Sequence, residues 1–219
     1  MSYSLPSSVR PFTVAVPDQD LSEWRQLLEL SKLGPKTYEN QQTAEDFGVT
    51  YKWLSETKDY WLHKYDWRTQ EKHINSFPNY KMQVADIDVH FVALFSEKKD
   101  AIPIIFMHGW PGSFIEFLPI CELIRKQYSA ADLPYHIVVP SLPGYTLSSG
   151  GPQDRNWTMI DTADIMNQLM NNLGFSKYIA QGGDVGSFVS RIMAAKYDSS
   201  VVGVHCKYLS LWATANSDS

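Results

Sequence analysis

The stretch Gly182-Gly183-Asp184-Val185-Gly186-Ser187 places a carboxylate where a reactive side chain could be displayed. Small residues two positions before and two after Asp184 are the spacing of a sharp strand-to-helix turn, in which glycines let the strand and the helix approach closely around one strained residue. The context fits that turn: the apolar segment KYIAQ precedes it as a strand, and a helical pattern from Val185 to Tyr197 follows. Such a turn ordinarily presents a serine nucleophile, and here it presents Asp184. An aspartate at a helix start is more often a cap than a nucleophile, so the reading leans on the loops around it.

Two further loops leave the ends of apolar strands, which is where open α/β sheets build their sites. HGWPGS (His108 to Ser113) follows IPIIFMH, and PSLPGYTLSSG (Pro140 to Gly150) follows YHIVVP. A loop in the first position supplies one backbone N–H to an oxyanion hole, and the residue after the nucleophile, Val185, supplies the other. His108 reads as a histidine that shapes its own loop, because the general base of this arrangement follows the nucleophile in chain order. His63, His73, His90, His136 and His205 fall in connector, helix or strand contexts where a structural role suffices, and Tyr145 could line the pocket.

The elements that must hold these loops alternate as strand and helix. The pattern predicts a hairpin over Lys81 to Phe95 turning near Asp86 to Asp88, and buried strands at Ile102 to His108, Tyr135 to Pro140, KYIAQ and Val201 to Cys206. Helices are predicted from Ser113, with Glu116 completing a capping box, to about Gln127. Others follow from Thr158 to Leu173, with Met159, Thr162, Ala163, Met166, Leu169, Met170 and Leu173 inward and Gly174 as the stop, and from Val185 to Tyr197. This βαβ order predicts an α/β fold, a mostly parallel sheet with helices on both faces. Upstream, an amphipathic helix is predicted over Asp20 to Leu33 with Asp20 as N-cap and Leu21, Trp24, Leu27, Leu28 and Leu30 on one face. A second runs from about Thr50 to Lys64, and DWRTQEKHINSFPNY reads as an irregular connector. The division expected is residues 1–80 as an N-terminal helical, wrapping region and 81–219 as the α/β part.

Composition narrows the function classes. With 44% hydrophobic and 20% charged residues the chain is that of a globular protein with a real core. A net charge of −5 without a Lys/Arg cluster argues against a nucleic-acid partner. No run of about 18 apolar residues and no apolar leader occurs, so neither a membrane span nor a signal peptide is expected. Cys121 and Cys206 have neither a metal-type nor a redox-type spacing and read as free thiols, which fits a cytoplasmic location. No metal and no cofactor is expected.

Taken together, PFTVAVPD, WLHKYDWRTQEKHINSFPNY, IDVHFVALFS, HGWPGSFIEF, VVPSLPGYTLSSG and QGGDVGSF resemble the epoxide hydrolases of the microsomal and fungal type, within the α/β-hydrolase fold. The DWR…E…NSFP block belongs to the N-terminal region peculiar to that branch. The resemblance implies Asp184 as nucleophile, and the backbone amides of Trp110 and Val185 as the oxyanion hole. His108, Gly109, Pro111, Gly182, Gly183 and Gly186 would form the surrounding motif loops. In the wider family the residue after the nucleophile is often Trp; Val185 departs from that but keeps its backbone donor. A small hydrophobic epoxide and water are the implied partners, and the implied product is a vicinal diol. The choice of Asp follows from chemistry: attack at a saturated carbon by serine would leave an ether, whereas a carboxylate leaves an ester that water can cleave.

The resemblance also implies parts that these 219 residues do not show. The cap with its two epoxide-polarising tyrosines, the charge-relay acid and the base histidine would all follow the strand ending at Cys206. The expectation is therefore a C-terminally truncated chain in which Asp184 can be alkylated without turnover, and in which an exposed sheet edge invites self-association. Three readings stand side by side: an epoxide hydrolase, acting in detoxification or in secondary metabolism; a non-catalytic relative that binds a hydrophobic ligand or a partner; and, ranked lowest, an Asp-nucleophile dehalogenase, which lacks the DWR…NSFP segment.

Overall fold

The computed structural model describes residues 3–43 and 47–207. They form two compact units, one of residues 3–13 with 77–207 and the other of the described residues between 14 and 76. The sequence alone suggests a single boundary near residue 80. The difference arises because Val9–Pro11 is a short strand, β1, that pairs with the hairpin of the larger unit.

The larger unit is built on a seven-stranded sheet of order β1-β2-β3-β5-β4-β6-β7. The strands are β2 (Asn79–Val84), β3 (Ile87–Leu94), β4 (Ile102–Met107), β5 (Tyr135–Pro140), β6 (Tyr178–Gly182) and β7 (Val201–Cys206). β1, β2 and β3 are an antiparallel meander joined to β5, and β5, β4, β6 and β7 run parallel. Parallel strands need crossovers, and the helices supply them. These are α4 (Leu118–Gln127), α5 (Met159–Asn172) and α6 (Val185–Lys196). Ile105 and Met107 of β4 are fully buried in one cluster with Met166 and Leu169 of α5 and Val189 and Met193 of α6. Phe106 points to the opposite face, where its ring lies 5.5 Å from that of Phe117 at the start of α4. Helices thus cover both faces of the sheet.

Local chemistry explains the element ends. Thr158 and Asp161 form a full capping box at α5, and Gly174 closes it at φ 90°. Met159, expected inward, is 44% exposed, because it sits in the first turn before the helix reaches the core. The helix expected to run unbroken from Ser113 is instead a 3-10 turn, Phe114–Phe117, followed by α4. The Ser113 hydroxyl accepts from the Ile115 N–H rather than that of Glu116, and Pro119, which lacks an N–H, fits only in the first turn of a new helix.

In the smaller unit α1 spans Asp18–Leu30, α2 Tyr51–His63 and α3 Trp67–Asn75. α1 starts two residues before the expected Asp20 cap, with Pro17 in the N-cap position and no side-chain cap, and Leu27 and Leu30 are 71% and 80% exposed rather than buried. α3 lies within the segment expected to be an irregular connector. Asp66 caps it by accepting from the Arg68 N–H, and Glu71 accepts from the Val16 N–H at 2.7 Å and the Trp67 indole N–H at 3.0 Å. Trp24, Trp61, Tyr65 and Trp67 line an apolar groove of about 390 Å³ in this unit. No helix among the described residues is long and apolar enough to cross a membrane.

One buried polar chain fixes the loop after β5. The Asn79 amide donates to the Phe77 carbonyl, so its oxygen faces His90 and accepts from Nε2 at 3.0 Å. The other ring nitrogen, Nδ1, then accepts from the Ser141 hydroxyl at 2.9 Å, and Ser141 accepts from Thr146. Ser148 and Ser149 tie the same loop to β3 by accepting from the His90 and Asp88 N–H groups. Burial, with the charge of Lys81, pushes the His90 pKa down from 6.5 to about 3. The folded state therefore refuses a proton that the unfolded state takes up, and stability falls as pH drops from about 6.5 towards 3. We expect the thermal midpoint to decline over that range and the decline to be shallower in His90→Gln; parallel curves would contradict this.

Candidate active site

Asp184 stands between β6 and α6 with φ 50° and ψ −122°, a conformation that non-glycine residues rarely adopt and that costs on the order of 1–3 kcal/mol. What holds it there is the approach of the strand to the helix. A Cβ on Gly182 would lie 2.0 Å from the Gly186 carbonyl oxygen, and one on Gly186 would lie 2.1 Å from that of Met107. No side chain fits at either position. The Ser187 hydroxyl donates to the Gly182 carbonyl at 2.8 Å, and the Ser187 N–H donates to the Asp184 carbonyl at 2.9 Å, closing the turn.

Across from this turn the loop after β4 reaches the carboxylate. The Trp110 N–H donates to Asp184 Oδ1 at 2.8 Å, and the Val185 N–H also hydrogen-bonds the carboxylate. These two bonds, that of Trp110 being the larger influence, hold the Asp184 carboxyl below the usual carboxylate range, so it is ionised at neutral pH. Gly109 is required beside it, because a Cβ there would fall 2.4 Å from both Asp184 Cβ and Oδ1. The Trp110-Pro111 peptide bond is cis. An open pocket of about 520 Å³ lies above the turn, lined by Gly109, Trp110, Gly112, Glu116, Gly183, Asp184 and Lys207.

His108 is fully buried and serves the loops. Its Nε2 accepts from the Leu142 N–H at 3.0 Å, which leaves Nδ1 to donate to the Gly109 carbonyl at 3.1 Å, and burial lowers its pKa. It thereby clips the loop after β4 to the loop after β5. The Tyr145 ring stands edge-on to His108 at 5.0 Å. Burial, and then the negative charge of Asp184, raise the Tyr145 pKa. The structure thus brings Asp184, Trp110, Val185, Gly109, Gly182, Gly183 and Gly186 together, with His108 behind them. His90 and His136 are buried away from the pocket, and His205 lies on β7 opposite Gln181. Among the described residues no histidine lines the pocket, and no three His, Cys, Asp or Glu side chains cluster as metal ligands would. Lys207 escaped sequence reasoning; its one signal is that it follows the carboxyl end of a parallel strand.

A strained residue between strand and helix, flanked by two glycines, has the shape of a sharp strand-to-helix turn, and a model of the α/β-hydrolase fold matches residues 102–207. The model for the epoxide hydrolase N terminus matches residues 9–117. The chain belongs to the epoxide hydrolases of this fold. The solved structure of Aspergillus niger epoxide hydrolase superposes with a TM-score of 0.89 at 45% identity, covering 98% of this chain and 57% of that one. A Dothistroma septosporum protein assigned to the same enzymes is 41% identical, over 94% of this chain and 50% of its own length. Rabbit epoxide hydrolase 1 is 33% identical, over 90% of this chain and 44% of its own length. The chain spans about half the length of the curated relatives it matches.

Because the clash at Gly186 is with backbone rather than a flexible side chain, Gly186→Ala should destabilise the larger unit by about 1–3 kcal/mol or more. Denaturant unfolding of the variant measures this, and an unchanged midpoint would show that the turn is not packed as described.

Proposed function

We propose that this chain carries the alkylation half-site of an epoxide hydrolase, in which Asp184 attacks an epoxide carbon and becomes an ester. The observation that carries the reading is the Trp110 N–H bond to Oδ1. It holds one carboxylate oxygen in the place where an ester carbonyl would later develop negative charge, and it leaves Oδ2 free to attack. Trp110 and Val185 then act as an oxyanion hole for the second step, in which activated water attacks the ester. Ionisation favoured by the same amides means that Asp184 needs no base for the first step. The substrate class is a small apolar epoxide, in keeping with the Gly109, Trp110 and Gly112 walls. We also read the chain as cytoplasmic, in keeping with two free cysteines.

Incubation with styrene oxide followed by peptide mass spectrometry tests this. The expected result is one epoxide added on the peptide containing Asp184 and none on that peptide in Asp184→Asn; an unmodified Asp184 peptide would favour the non-catalytic, ligand-binding reading. With the Asp184 pKa held below its ordinary value of about 3.8, the attacking form persists as pH falls. The adduct should therefore form at a constant rate from about pH 8 down to about pH 5. Loss of rate with a midpoint above about 5 would be incompatible with a carboxylate held by two amides.

Self-association is a second element of the proposal, supported by β7 at the edge of the sheet with Val202 58% and Val204 41% exposed. Size-exclusion chromatography should show dimers or larger species, reduced by Val202→Lys; a monomer at every concentration would end this part of the reading.

A further inference from the structure

We propose that the larger unit carries a second site, one that binds a phosphate group at the amino ends of β4 and β5, at the other end of the sheet from the Asp184 turn. A pocket of about 500 Å³ opens there, lined by Pro103 of β4 and His136 of β5, which are paired in register, and by Lys98, Lys99 and Lys177. The fixed point of the pocket is His136, which is 5% exposed. Its Nδ1 accepts from the Ser96 N–H at 3.2 Å, so the ring proton is on Nε2. The rings of Tyr3 and Phe175, each with its centroid 4.8 Å from that of His136, also line the pocket and hold the imidazole in place. Among the described residues the Nε2–H has no partner. A donor on so deeply buried a side chain, in the wall of a pocket, calls for an acceptor within that pocket.

The surroundings make that acceptor an anion. Lys98, Lys99 and Lys177 form no ion pair among the described residues, and an ammonium on a flexible four-carbon stem can turn to meet an anion held by the ring they surround. Glu97 and Asp100, the acids beside them in the sequence, do not line the pocket. Nor does the end of α5 consume this positive charge. The carbonyls of Leu169, Met170 and Asn171 accept from the N–H groups of Leu173, Phe175 and Gly174, and that of Leu173 accepts from the Tyr3 hydroxyl at 3.0 Å. Ser96 joins the two kinds of donor: its N–H orients His136, and its hydroxyl accepts from the Lys98 N–H at 2.9 Å while donating to the Leu133 carbonyl at 2.6 Å. Three lysines and no arginine line the pocket, which favours phosphate over carboxylate. A carboxylate is matched by the planar fork of arginine, whereas point charges suit a group that carries nearly two negative charges on three oxygens. The site shares no residue with the Asp184 pocket and stands independently of the function proposed above.

Titration of the unaltered chain with inorganic phosphate and with phenyl phosphate, at neutral pH and constant ionic strength, tests the site through the histidine ring signals in NMR spectra. The His136 signal is identified by its nuclear Overhauser contacts with the Tyr3 and Phe175 rings. The expected result is a saturable shift of His136 alone among the six histidines, with a Kd of about 1 mM or tighter. In the triple variant Lys98→Gln, Lys99→Gln, Lys177→Gln binding should weaken by about tenfold or more, with the unfolding midpoint of the parent retained. Should that variant unfold, Lys177→Gln, an exposed single change, should weaken binding by about threefold. Tighter binding of phenyl phosphate than of inorganic phosphate would support the site as one for a phosphate monoester whose organic part lies against Tyr3 and Phe175; equal binding would support it as one for free phosphate. No saturable shift of His136 up to about 20 mM of either probe would overturn the assignment. So would equal affinities in the parent and the lysine variants, or shifts spread over the other histidines.

Discussion

Everything at the site depends on the contact between Gly182 and Gly186. With a Gly182 Cβ falling 2.0 Å from the Gly186 carbonyl, strand β6 and helix α6 meet closer than any side chain allows. That closeness is what forces Asp184 into a positive φ and lifts its carboxylate off the sheet. The strain is local, on the order of a few kcal/mol, and is sustained by the packing of α6 through Val189 and Met193 into the core. The helix therefore does two jobs: it buries apolar surface, and it holds a carboxylate in a conformation the residue would not otherwise keep. Its first N–H, that of Val185, completes the arrangement by meeting the group it has displaced.

Electrostatics at the site follow from backbone rather than from charged side chains. The Asp184 carboxylate is kept ionised by amide hydrogens of Trp110 and Val185, with no cation paired to it among the described residues. Amides suit the course proposed for Asp184, from anion to ester to oxyanion. They stabilise negative charge at each stage without a countercharge that would bind the starting anion hardest. A salt bridge in the same place would favour the resting carboxylate over every later state.

Much of this was legible in the sequence, and the limits were physical. The glycine spacing around Asp184, the apolar runs of β4, β5 and β6, and the three loops at their carboxyl ends are short-range features, and each is found where the pattern put it. The sequence reading also cast His108 as a shaper of loops, and its two hydrogen bonds do that work. What failed to show were features set by distant partners or by weak local codes. α3 was hidden because it is only nine residues long, mostly polar, with Ile74 its one buried residue; its legible sign was the Asp66 cap. β1 is three residues long and exists through its pairing with β2. The break before Pro119 was announced by the proline but masked by the apparent capping box. Lys207 reaches the pocket of Asp184 through the pairing of β6 with β7, a relation no local pattern records.

The histidine clip between the loops has a consequence for how such a site can diversify. A single buried ring accepts from Leu142 and donates to Gly109, so the wall that carries Tyr145 and the segment that carries the Trp110 amide share one hinge pin. Sequence drift in either loop is transmitted to the other. Lineages that reshape the wall to admit a different molecule would then do so within the narrow set of changes that leave Leu142 in register, and new selectivity would tend to arise on the side of the pocket that this ring does not govern.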